Sequence, residues 1–192
     1  VRMPEERARE LFAAARVARL ATIGAGGAPR LVPVTFALIH GTAPGAEDIG
    51  PPDAGREGGR LGGGPRVDRV TDAGHEGGGP GGGPRVDRGG GLGVVVTAVD
   101  HKPKATTDLR RLRDIRDNPR VCLLADHYED DWERLWWVRA DGRARIVEGG
   151  DERARAVAWL VRKYAQYRER PPAGPAIVIH VERWSGWSYA GI

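Results

Sequence analysis

"RVCLLADHYEDDWERLWWVRADGRARIV", residues 120–147, is the stretch whose reading decides the fold. "RVCLLADH" reads as a strand rich in apolar residues. An acidic turn follows, and then "RLWWVRAD" and "RARIVEG" flank Asp141-Gly142. Asp-Gly between two such runs is a strong turn signal, so the spacing predicts a β-hairpin centred there. Trp136 and Trp137 are adjacent on a strand and therefore point to opposite faces, so only one of them can belong to the core.

Upstream, "LGVVVTAV" is an apolar run short enough for a buried strand. The spacing of Leu109, Leu112 and Ile115 predicts a helix over 107–117, capped by Thr106 or Thr107 and ended by Asn118-Pro119. Between strand and helix lie Lys102 and Lys104, one on each side of a proline, and the helix itself is crowded with arginine. The chain start carries a second amphipathic helix, Glu5 to Arg16. "VARLATIG" and "PRLVPVTFALIH" then make a hairpin around "GAGGAP", with Pro33 marking an edge or a bulge. Downstream, Ala154, Val157, Ala158, Val161 and Tyr164 predict a long helix from Asp151 to Arg168. "AIVIHVE" and "WSGWSYAG" read as two closing strands. The sum is a mainly β (α+β) protein: six or seven mostly antiparallel strands with two or three helices, in a small closed or partly open barrel.

Residues 42–91 have another composition. They hold 18 of the 29 glycines and contain "GGGPRVDR" twice, at 62–69 and 81–88. Such units offer little apolar surface to offset chain entropy, so a disordered, duplicated insertion within one 192-residue domain is expected. The glycines have neither the GxxxxGK[ST] pattern nor the strand–Gly–helix context of a phosphate loop. The insertion sums to −2, six Arg against eight Asp plus Glu, so the rest of the chain carries about +6 of a whole-chain net charge of +4.

A single cysteine, Cys122, excludes a disulfide framework within the chain, and its apolar strand makes it inert. The five histidines show no zinc-ligand spacing. Asp126, His127, Glu129, Asp130 and Asp131 read as a solvated acidic loop, not a metal site. The basic helix lacks interleaved aromatics, which argues against nucleic acid. No apolar run reaches a membrane span, and the charged start has no signal-peptide core, so a reduced, soluble, cytoplasmic protein is expected.

The order "ARLATIGAGGAPRLVPVTF", "TAVDHKPK", "LRRLRDIRDNPRVCLL", "LWWVRADGRARIV" and "VERWSGWSYAG" resembles the pyridoxamine 5'-phosphate oxidase-like group, split β-barrels that bind flavin or deazaflavin. Within that group, "HKPK" and "RWSGW" are similar to the actinobacterial branch assigned to coenzyme F420. The resemblance implies a homodimer with its cofactor in an interface groove, and an oxidoreductase whose hydride chemistry belongs to the cofactor. No protein side chain is given a catalytic role and no metal is implied. It implies phosphate contacts from Thr97 to Lys104, with Lys102 and Lys104 at the barrel mouth. Arg110 and Arg113 would meet the acidic tail of coenzyme F420. Arg30, Val32, Pro33 and Val34 match the strand beside the isoalloxazine-type ring, and Trp136 is the candidate for stacking on it. The expected substrate is a small electron-poor molecule, such as an enone or quinone. FMN as cofactor, or a non-catalytic protein that binds flavin, deazaflavin or haem, are the alternatives.

Overall fold

Seven strands form one sheet in the order β2-β1-β5-β6-β7-β4-β3, and every neighbouring pair is antiparallel. They are β1 (Ala18–Ile23), β2 (Pro29–Val34), β3 (Ala37–Ile39), β4 (Val94–Ala98), β5 (Arg120–His127), β6 (Trp136–Val147) and β7 (Ala176–Ser188). The helices are α1 (Glu5–Ala14), α2 (Arg110–Asp117), α3 (Gly150–Lys163) and the short α4 (Gln166–Glu169). The computed structural model describes residues 1–40, 92–100 and 109–191. Of the two units into which the chain divides, Val1–Pro52 with Gly90–Ile192 carries all of these elements, and Asp53–Gly89 falls outside the described residues. So does the rest of the expected 42–91 insertion.

The strands alternate between two apolar clusters. Val95 and Val99 join one cluster, and Val94, Val96 and Ala98 join the other. Ile177 and Ile179 join the first, and Ala176 and Val178 the second. The period of two therefore sends alternate residues to opposite faces of the sheet. The first cluster also holds Val34 of β2, although four strands separate β2 from β4 in the sheet order. A sheet whose distant strands share one core has curled on itself, and its edges β2 and β3 do not pair with each other. This is a split β-barrel.

Helix α1 delivers Ala8 and Phe12 to the barrel interior, and α2 delivers Leu112 and Ile115. Phe12 lies 4.6 Å from the Phe36 ring and 5.1 Å from that of Trp184, and all three are in the first cluster. Trp184 satisfies its indole by donating to the Leu92 carbonyl at 2.7 Å. Burying each such side chain contributes about 1.5–3 kcal/mol. Helix α3 covers the outer face instead, packing Ala156 and Leu160 on Ile39, Val96 and Val178. Asp151 and Glu152 in its first turn, and Arg162 and Lys163 in its last, match the helix dipole.

Four expectations need correction. Asp141-Gly142 is not a hairpin turn, because β6 runs straight through it. Gly142 is there because a Cβ would stand 2.2 Å from the His180 carbonyl oxygen on β7. The two closing strands are one, β7, in which Glu182 is the extra residue at a bulge: Gly142 pairs with Val181 but Asp141 pairs with Arg183. "PRLVPVTFALIH" is divided into β2 and β3 by a corner at Thr35-Phe36. There the Tyr164 hydroxyl accepts from Phe36 N at 3.0 Å and lies 2.9 Å from the carbonyls of Phe36 and Arg16. The expected helices are shorter than their apolar spacing suggests, although the one expected over 107–117 ends at Asp117 as its Asn118-Pro119 signal implies. The helix placed at 107–117 begins at Arg110, with Leu109 at its N-cap position, and α3 stops at Lys163.

Candidate functional site

A cleft of about 220 Å³ opens between β2 and β4. Val32, Pro33, Val34 and Thr35 form one wall, Thr97, Ala98 and Asp100 the other, and Arg111 of α2 closes it. The curling of the sheet makes this site, since β2 and β4 are remote in the strand order. Among the described residues β2 pairs with β1 alone, so its other edge carries backbone groups free of the ladder, and Pro33 is tolerated there. Thr35 is tied to the Tyr167 hydroxyl at 2.7 Å, which fixes the end of that wall.

Helix α2 is held against β1 and β2 by one buried carboxylate. Asp114 accepts from the Thr22 hydroxyl at 3.0 Å and lies 3.3 Å from Arg30 Nε. Arg111 is one helical turn before Asp114, so the same anchor sets its position. Its Nε is buried without a hydrogen-bond partner among the described residues. Burial pulls the guanidinium below the ordinary arginine value, and Asp100 opposes that shift.

The cleft thus gathers Val32, Pro33, Val34 and Thr97 of the expected binding residues. Arg30 is engaged with Asp114 and does not line it. Arg110 is exposed at the start of α2. Trp136 packs against the barrel core and stacks on His127 at 6.4 Å, away from the cleft lining. Lys102 and Lys104 lie outside the described residues, as do Thr106 and Thr107. Sequence reasoning passed over Thr35, Asp100 and Arg111. The Arg111–Asp114 spacing was the available signal, because it puts an arginine on the face of α2 that carries a buried carboxylate.

The acidic loop is used in local pairing. Asp126 pairs with Arg19, Glu129 with both His127 and Arg134, and Asp131 caps Glu133 N. Cys122 is half-buried, and burial followed by Asp141 pushes its thiol up to about 11, far from a reactive thiolate. A larger hollow of about 620 Å³ beside α1 is lined by Glu5, Glu6, Arg9, Glu10 and His40. Its carboxylates give it the wrong sign for an anionic cofactor, so the smaller cleft is the better candidate. Among the described residues no helix is long and apolar enough to cross a membrane.

Several solved structures are similar to the chain. A conserved hypothetical protein from Mycobacterium tuberculosis is similar at a TM-score of 0.58 with 16% identity, covering 97% of this chain and 85% of that one. A heme binding protein from Mycobacterium smegmatis gives 0.56 and 18%, covering 97% of this chain and 54% of that one. A FAD-binding protein from Mesorhizobium loti gives 0.51 and 16%, covering 97% and 93%. At such identities the likeness concerns the fold alone. No curated protein matches the chain. Residues 92–188 match pyridoxamine 5'-phosphate oxidase, a span that runs from just before β4 to the last residue of β7. On that match, over half of its length and most of its barrel, the chain belongs to the pyridoxamine 5'-phosphate oxidase family.

Proposed function

We propose that the protein is an oxidoreductase that binds coenzyme F420 in the Val32–Asp100 cleft and reduces or oxidises a small electron-poor substrate. The observation that carries this reading is the cleft itself, with a free strand edge on one side and a half-buried arginine on the other. The edge of β2 offers backbone donors and acceptors to the rim of a planar heterocycle, while Val32, Pro33 and Ala98 offer apolar contact. Thr97, with a buried hydroxyl, and Arg111 are suited to the polar side of the ligand. Lys102 and Lys104 follow directly in the chain and are proposed to meet its phosphate, as the family resemblance implies. When bound, a deazaflavin supplies two-electron hydride chemistry. The protein's share is to bind, orient and exclude water.

Flavin is the second reading, favoured by the family match and by the FAD-binding relative in the same fold. Absorption titration of the purified protein with coenzyme F420, FMN and haem separates the possibilities. Saturable binding of coenzyme F420 at micromolar concentration is expected. Binding of FMN or haem with no response to coenzyme F420 would replace the assignment.

We further propose a homodimer. The outer face of β5, β6 and β7 carries Leu124, Trp137 and Trp187, half-buried and in neither apolar cluster, with Trp137 and Trp187 paired across the strands. A second copy would cover these rings. Sedimentation at micromolar concentration should give a dimer, and a clean monomer would remove the proposal.

A further inference from the structure

The cleft wall made by Thr97, Ala98 and Asp100 is held from behind by a segment that does not line it. Thr97 and Ala98 pair with Ile177 and Ala176 inside the β4–β7 ladder. The pairing then runs on past both strands. Val99 N donates to the Pro175 carbonyl at 3.0 Å, and Gly174 N donates to the Val99 carbonyl at 3.2 Å. A Cβ on Gly174 would stand 2.7 Å from Val99 Cβ and 2.9 Å from the Val99 carbonyl oxygen, so the segment lies directly against the end of the wall. That segment, "RPPAGP" at 170–175, is a strap with few donors of its own, because Pro171, Pro172 and Pro175 have no N–H. Arg153 of α3 supplies donors instead. Its Nε donates to the Gly174 carbonyl at 3.0 Å and its Nη2 to the Pro172 carbonyl at 2.8 Å. A cation near the start of a helix is unfavourable to the helix dipole, so α3 alone does not account for an arginine at that place.

We propose that Arg153 is a positioning residue for the cleft: through the 170–175 strap it fixes the Thr97–Asp100 wall, and with it the fit of a planar ring, without touching the ligand. The inference rests on the cleft being the cofactor site. Arg153 does not line the cleft, and its guanidinium is engaged with two neutral carbonyls. Its influence is therefore geometric, and it should act on every ring ligand alike, with or without a phosphate.

Two measurements test this: ring-fluorescence titrations with coenzyme F420, FMN and riboflavin, and amide hydrogen exchange of the ligand-free protein. Arg153→Met should weaken each ring that the parent binds by about 3- to 10-fold and leave the ratio of FMN to riboflavin affinity unchanged. Arg153→Lys, which can still reach one carbonyl, should recover part of the loss. Gly174→Ala pushes the strap off Val99 and should give a similar loss. The double variant should be no weaker than the weaker single one, because both act through the same strap. Arg162→Met, whose guanidinium lies over Trp159 at the far end of α3, should bind as the parent does. Without ligand, the Val99 N–H should exchange faster in Arg153→Met, while Val95, paired on both sides in the middle of β4, keeps the parent rate. Unchanged affinities in a folded Arg153→Met overturn the inference. So does a loss for FMN without one for riboflavin, additive losses in the double variant, or an unchanged exchange rate at Val99. If Arg153→Met does not fold, Arg153→Gln and Arg153→Lys carry the same comparison. If the parent binds none of the three rings, the cofactor reading fails on its own account, and exchange at Val99 decides whether the strap holds the wall.

Discussion

Lys163, at the end of α3, is an amine largely removed from water. Its Nζ donates to the Ala13 carbonyl at 2.8 Å and lies 3.9 Å from the centre of the Phe36 ring. Burial, with Arg16 adding repulsion, pulls its pKa from the usual 10.5 to about 8. The folded state therefore holds fewer protons than the unfolded chain between these two values, and stability attributable to Lys163 rises with pH across that window. Two other groups act oppositely. Cys122 is raised from 9.0 to about 11, and Tyr164 is raised by burial, so each makes the unfolded chain the easier one to deprotonate at high pH. The difference between the parent and Lys163→Met isolates the lysine. Urea midpoints taken between pH 7.5 and 9 should climb in the parent relative to the variant. Parallel curves would show that the amine is solvated.

At the scale of an element, β6 and β7 show how much of the fold could be read from the chain. The strands and their faces were legible, because period-two burial is written plainly in "VVVTAV" and "AIVIHV". The Asp-Gly pair misled because a glycine that lets two backbones approach looks the same in sequence as one that turns the chain. The contrary signal was present: Val138, Ala140, Gly142 and Ala144 are all buried, so the alternation never breaks. In β7 it does break, from Val181 to Trp184, and a bulge looks like a gap between two strands. The valine wall of the cleft was legible through the family resemblance. Arg111 was not, because which arginine of a basic helix faces inward depends on the Asp114 anchor, a contact across 92 positions to Thr22. Gly142→Ala should cost on the order of 3 kcal/mol, since the added methyl meets backbone that cannot yield. Denaturant unfolding decides it, and a loss below about 1 kcal/mol would show that β7 shifts to make room.

For the whole molecule, the pairing of β3 with β4 bears on the glycine-rich insertion. Ile39 and Val94 are register partners, so the connection from 40 to 93 begins and ends at one point of the barrel. A ladder closed at that point does not require a long connection, and shortening a flexible one lowers the entropy cost of closure by about 0.6 kcal/mol per halving. Replacing residues 42–91 with an Asn-Gly turn should leave Tm unchanged or higher in a thermal scan. A fall of many degrees would show that the insertion packs on the barrel.

The bulge at Glu182 has a further consequence, for how this strand can change length over evolutionary time. One extra residue there reverses which side chains face inward for the remainder of β7. A single-residue deletion or insertion elsewhere in the strand would turn Trp184 outward and Trp187 inward along with everything between them. The strand can therefore vary in steps of two, or by one at the bulge itself, where losing Glu182 leaves a regular alternation from Val181 to Trp184. Deleting Glu182 alone should straighten the strand and leave Trp184 inside, whereas deleting Glu182 and Arg183 together should turn Trp184 into water and shift tryptophan emission to the red. A red shift in the single deletion would show that the bulge does not set the phase of β7.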